Sequence, residues 1–144
     1  MKPLECFAWA ILQFEGFKPG SMSWRNRNPG NLRSSKSAYT VRHGYAIFDS
    51  FEKGWAALLS DISAKFRGKP YTTSGLGPDS TLLQFFEVYA PSADSNHPHI
   101  YAKFVAGFLT QSLGRQIELG TTLREIQSNI TADHSGLLAS WGSF

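Results

Sequence analysis

One run narrows the folds open to this chain more than any other. Phe51, Trp55, Leu58, Leu59, Ile62 and Phe66 recur at i, i+4, i+7, i+8, i+11 and i+15. That is the period of an amphipathic α-helix and does not fit the alternation of a strand. A helix with so wide an apolar stripe is stable only when other elements cover it. The chain supplies such partners. Leu4, Phe7, Ala8 and Ile11 predict a helix over residues 3–17 with Pro3 near its start. Asp49 or Ser50 is the expected cap of the central helix. Ser80 is the expected cap of a third helix through Leu82, Leu83, Phe85, Phe86 and Tyr89, which stops before Pro91. Pro98 opens a fourth with Ile100, Tyr101, Phe104, Val105, Phe108 and Leu109, ending near Gly114. Thr122 and Glu125 form a capping box for a short fifth. The one strand signal is "SAYTVRHGYAIF", where β-branched and aromatic residues flank His43-Gly44 as in a hairpin.

The expected class is therefore α+β, mainly α, with one small hairpin near the front. No linker splits the chain, so residues 1–144 read as one domain with one core. The tail, residues 131–144, stands apart: from Asp133 it reads as partly helical or as a flap with Trp141 packed on the body. Cys6, the single cysteine, excludes an intrachain disulfide and reads as a buried thiol. The opening "MKPLECFAWAILQFEGF" is a poor signal peptide and too short to span a bilayer. Release by another route, or a mature form, is the expectation.

The formal net charge is +3, with no run of Lys or Arg resembling a nucleic-acid arm. A diffuse positive surface suits an anionic polymer such as a cell-wall glycan, and equally suits solubility. Aromatic residues make up 14% of the chain, enough to line a sugar groove as well as fill a core. His97 and His99 have no third ligand at recognisable spacing, and His43 and His134 stand alone, so no metal is expected. The pattern of a phosphate-binding loop is missing, and so is a local Ser-His-Asp signature.

Glu15 raises the chemical question. At about 100° per residue, Leu4, Ala8, Ile11 and Glu15 share one helical face. A carboxylate continuing an apolar face is desolvated, which favours its protonated form and suits a general acid. Alternatively the helix ends there and Glu15 points into solvent. "RNRNPGNLR" follows, with Asn26, Asn28 and Asn31 among its nine residues and Pro29-Gly30 to make a tight turn. Asn amides suit sugar hydroxyls and acetamido groups. They also satisfy their own backbone, which is the commoner use.

"FEGF", a Ser-containing spacer, "RNRNPGNLR" and "GYAIFDSFEKGWAALLSDI", followed by "FFEVYAPSADSNHPHIYAKFVAGFL", resemble a family of small lysozyme-like peptidoglycan hydrolases carried by phages and bacteria. Goose-type lysozymes and soluble lytic transglycosylases are similar. The resemblance covers roughly residues 7–110. It implies a lysozyme-like fold with a glycan groove between a helical body and a hairpin lobe, acting without a cofactor on peptidoglycan strands at the bacterial wall. A monomer that engages neither nucleic acid nor membrane is the expectation. The resemblance implies that Glu15 is the catalytic acid. By position it puts Asn28, Asn31, Tyr45, Tyr89, Asp94 and Asn96 around the cleaved bond, with Tyr101 a further substrate-binding residue.

A second carboxylate would decide the reaction. A separation of about 5 Å implies a covalent nucleophile, and about 6.5–9.5 Å leaves room for water. Asp94 is the best-placed candidate, although an Asp in "SADSN" also serves as a turn former. Asp49 and Glu52 read as first-turn acids that stabilise a helix, and Asp61 and Glu87 as helix surface. With Asp94 available, hydrolysis is the leading expectation. A lytic transglycosylase that works through one Glu, and a non-catalytic glycan-binding or virion structural module, are the alternatives.

Overall fold

The computed structural model describes residues 2–92 and 96–128. The expectations for Asp94 and for the tail with Trp141 lie outside the described residues. Among the described residues, six helices and a two-stranded antiparallel sheet follow one another: α1 (Pro3–Phe14), α2 (Met22–Arg25), β1 (Thr40–Arg42), β2 (Tyr45–Ile47), α3 (Phe51–Arg67), α4 (Leu82–Tyr89), α5 (Pro98–Leu113) and α6 (Leu123–Gln127). The chain is mainly helical, as its apolar periodicity requires. No helix among the described residues is long and apolar enough to cross a membrane.

The helices pack around α1, whose main neighbours are α5 and α3; α4 closes over α5. Phe7 of α1 sits at the centre. Its ring meets Phe66 and Phe85 edge-on at 5.0 and 4.9 Å between centroids, and stacks against Phe86 at 5.8 Å. Such pairs add about 0.5–1.5 kcal/mol each beyond the area they bury. Cys6 is buried beside this cluster. A much smaller core, Leu32, Ala46, Phe48 and Ala57, lies under the hairpin.

The helix ends follow side-chain chemistry, with two departures from expectation. Ser50 accepts from the Lys53 N–H and caps α3, while Asp49 pairs with Lys53 Nζ. Thr81, not Ser80, caps α4: its hydroxyl accepts from the Gln84 N–H, and the Gln84 side chain accepts the Thr81 N–H in return. Ser80 instead accepts from the Gly77 N–H and shapes the preceding turn. The second departure is α1, which ends at Phe14 rather than at residue 17. Gly16 adopts the left-handed conformation, φ +68°. The Gly16 N–H bonds the Gln13 carbonyl and the Phe17 N–H bonds the Leu12 carbonyl, the paired bonds of a glycine helix stop. "EGF" is thus a helix terminator that holds Glu15 at the C-cap.

The hairpin turns through His43 and Gly44, with φ +55° and +81°. Two consecutive positive φ values match the right-handed twist of the flanking strands. The short helix α2 inside the Asn-rich loop was not foreseen. Ser21 caps it by accepting from the Trp24 N–H, but four residues carry too little periodicity to be read from sequence.

Candidate active site

Glu15 lines an open cleft of about 460 Å³. Gly30 to Ser34 and Tyr45 contribute from the Asn loop and hairpin, Tyr89 to Pro91 and Asn96 from the segment between α4 and α5, and Asp61 and Lys65 from α3. A larger depression of about 1070 Å³ lies among α1, α3, the end of α5 and α6, lined by Leu4, Leu59 and Leu113. It gathers less chemistry than the cleft, in which several polar groups converge on one half-buried carboxylate.

Each carboxylate oxygen of Glu15 has a donor. Asn31 Nδ2 donates to Oε1 at 2.8 Å, and the Tyr101 hydroxyl donates to Oε2 at 2.7 Å. Burial pushes the Glu15 carboxyl above its ordinary value, and the bonds from Tyr101 and Asn31 pull it partly back. A C-cap position also sets the group against the negative end of the α1 dipole, which disfavours its ionised form. Tyr101 is itself buried, stacked between Phe14 at 3.9 Å and Phe86 at 4.3 Å. The core therefore fixes the donor, and the donor fixes the acid.

The Asn loop is closed on itself at one point and held to the body at two. Asn31 N–H bonds the Asn28 carbonyl across the Pro29-Gly30 turn. The Tyr89 hydroxyl, buried at the end of α4, donates to the Gly30 carbonyl at 2.6 Å. Gly30 has no room for a side chain, since a Cβ there would meet Leu58 Cδ1 at 2.6 Å and the Tyr89 hydroxyl at 2.7 Å. The third point is Gly54 on α3, where a Cβ would run into the Arg27 carbonyl. Glycine at that helical position is a notch for the loop, which ties "KGW" to "RNRNPGN".

Asn28 and Asn31 divide the labour. Asn28 is completely buried. Its Nδ2 donates to the Leu32 and Ala46 carbonyls, and its Oδ1 accepts the Leu32 N–H, all at 2.9 Å. It braces the loop against β2 and is not among the residues lining the cleft, so its expected contact with substrate is corrected to a structural role. Asn31 adopts φ +48°. Its Oδ1 is buried with no partner among the described residues. An unpaired buried acceptor costs about 1–3 kcal/mol, and strain of this sort collects at functional sites.

Of the other anticipated residues, Tyr45, Tyr89 and Asn96 line the cleft with Glu15 and Asn31. Arg33 lies over the Tyr45 ring at 4.3 Å. Tyr101 does not line the cleft and instead orients Glu15. Asp61 departs from expectation. It was read as helix surface, yet it lines the cleft and engages Lys65 Nζ at 2.6 Å through both oxygens. A signal existed: Asp61 and Lys65 lie three and seven residues after Leu58, along the same helical edge. Among the described residues no group of three His, Cys, Asp or Glu could hold a metal ion. Comparison with models of known families, with curated proteins and with solved structures yields no match.

Proposed function

We propose that this chain is a peptidoglycan glycosidase with a lysozyme-like fold, in which Glu15 is the general acid that cleaves the β-1,4 bond after N-acetylmuramic acid. The observation that carries the reading is Glu15 itself: a half-buried carboxyl on an open cleft, biased toward its protonated form by burial and oriented by two donors. Such a group can deliver its proton to the glycosidic oxygen as the carbon–oxygen bond breaks. A water molecule then adds to the sugar carbon and gives its proton to the Glu15 carboxylate, which regenerates the acid. Peptidoglycan strands are the partner of this reading, the bacterial wall is its place of action, and a monomer suffices.

A lytic transglycosylase is the second reading, and the state of Asp61 favours it. Both oxygens of that cleft carboxylate are engaged by Lys65, so among the described residues Glu15 is the cleft carboxyl not held by an ammonium. In that reaction the substrate's N-acetyl carbonyl assists, and the sugar's own 6-hydroxyl returns its proton to Glu15. Muropeptides that weigh one water less than reducing sugars, measured by mass spectrometry after digestion of purified wall, would overturn hydrolysis.

The residue itself is tested by Glu15→Gln. Wall lysis should fall by at least about 10²–10⁴-fold, the usual contribution of a general acid, while glycan binding is retained. A variant that lyses wall as well as the parent sinks the assignment. The same substitution has a stability signature. A carboxyl whose folded value is raised loses stability as pH rises through that value. Glu15→Gln should therefore gain on the parent in thermal melts as pH rises. A pure glycan-binding module would show no lysis in either form.

A further inference from the structure

We propose that Lys65, clamped by Asp61 on the α3 side of the cleft, is the point at which a carboxylate carried by the glycan is read, so that the cleft favours acidic strands over neutral ones. The inference rests on the glycan reading of the same cleft.

Two Asp–Lys pairs at i, i+4 spacing occur around α3, and they differ. Asp49 and Lys53 are exposed, at 52% and 56% of the side chain, and meet through one contact of 3.1 Å. Pairs of that type contribute little. Lys65 retains only 15% exposure and Asp61 30%, and the ammonium touches both carboxylate oxygens at 2.6 Å. Holding a long cationic side chain this still costs rotamer entropy and hydration. A solvated face would gain nothing from that arrangement, whereas a cleft that must present a fixed cation would.

Lysine has three donors. Asp61 engages two oxygens' worth of them, and the ammonium lies 5.5 Å from the centre of the Tyr89 ring, the same side chain that holds the Asn loop. By count, the bonds to the two Asp61 oxygens leave one of the three N–H groups for a further acceptor. A fixed ammonium in a partly desolvated cleft attracts a carboxylate more strongly than a freely hydrated one. Arg33 adds a second positive charge from the hairpin side of the cleft. In the Glu15→Gln protein, the formal charges among the described residues lining the cleft are Asp61 against Lys65 and Arg33, an excess of one positive. Neutral polymers of N-acetylglucosamine offer nothing to it, and strands bearing lactyl or peptide carboxylates do.

The test uses the Glu15→Gln protein, which binds without turnover, and calorimetry with two probes of equal length: a peptide-bearing muramyl oligosaccharide and a neutral β-1,4-linked N-acetylglucosamine oligomer. The acidic probe should bind more tightly, and the preference should shrink with salt. Adding Lys65→Met should weaken the acidic probe about tenfold, roughly 1.4 kcal/mol, with the neutral probe moving much less. Lys65→Arg keeps the charge and should keep most of the preference. Equal weakening of both probes would reduce Lys65 to a structural part and overturn the proposal, as would an unchanged preference in Lys65→Met. If neither probe binds the Glu15→Gln protein, the glycan reading falls and takes this inference with it; if both bind, that reading stands whatever Lys65 does.

Discussion

The helical body and the loop–hairpin lobe are held together by different forces. The body rests on a large cluster in which Phe7, Phe66, Phe85 and Phe86 interlock with Ile11, Leu58, Val105 and others. The lobe has three buried apolar residues of its own, Leu32, Ala46 and Phe48, which pack with Ala57 of α3. What it has in addition is Asn28, a buried amide that ties Leu32 and Ala46 together. Apolar burial is strong but non-directional, and it tolerates small shifts. Hydrogen bonds are directional and fix distances to tenths of an ångström. The difference suits the division of work: the body supplies stability, and the lobe carries Asn31 to within 2.8 Å of the Glu15 carboxylate.

The harshest way to probe this contrast is Phe7→Ala. Emptying the centre of the aromatic cluster should cost about 3–5 kcal/mol in urea or thermal unfolding, a large part of the 5–15 kcal/mol typical of a domain. Body and lobe should be lost together, since α3 and Tyr89 anchor the loop. Asn28→Ala should cost less, about 2–3 kcal/mol, because it leaves the Ala46 carbonyl and the Leu32 N–H without their amide partner in a buried place, while the Leu32 carbonyl keeps its bond from the Ala46 N–H. Its effect should concentrate in the lobe, with faster amide exchange at Leu32 and Ala46 than along α1. A cost under about 0.5 kcal/mol, normal for surface sites, would mean that the lobe does not depend on its buried amide.

The mildest probe is Asn31→Ala, which sharpens the comparison by leaving both cores intact. Its donor holds the Glu15 carboxyl down against the effect of burial. Without it the carboxyl should rise further, so the acid stays protonated to higher pH. The basic limb of the pH–rate profile of wall lysis should move upward by up to about one unit, or about 1.4 kcal/mol. A limb that stays in place, or moves down, would uncouple the loop from the acid's proton.

Much of this was legible from residue patterns, and the exceptions have physical causes. Strong periodicity over seventeen residues foretold α3, and Pro98 with Gly114 marked both ends of α5. His43-Gly44 foretold the hairpin turn. Ser80 and Thr81 are both competent caps, and only the packing of the 68–81 loop selects between them. Glu15 was visible as a carboxyl on an apolar face. Asn28 and Asn31 carry the same side chain three residues apart, so composition could not assign one to the backbone and the other to the acid. Asp61 looked like ordinary helix surface because its cleft is walled by segments distant in sequence, among them residues 30–34 and 88–91.

What the amino-acid order determined alone was therefore local: periods, the caps at Ser50 and Thr122, and the turn between Asn28 and Asn31, together with the glycine stop that periodicity overran by predicting a helix to residue 17. Each depends on bonds spanning five residues or fewer, such as Phe17 N–H to the Leu12 carbonyl. The tertiary structure alone decided which groups meet. Tyr101 reaches Glu15 from 86 positions away and Tyr89 reaches Gly30 from 59. The desolvation that tunes Glu15 and the pocket that immobilises Lys65 are likewise properties of the assembled chain. Burial and charge pairing depend on what surrounds a side chain in space, and residue spacing does not encode those surroundings.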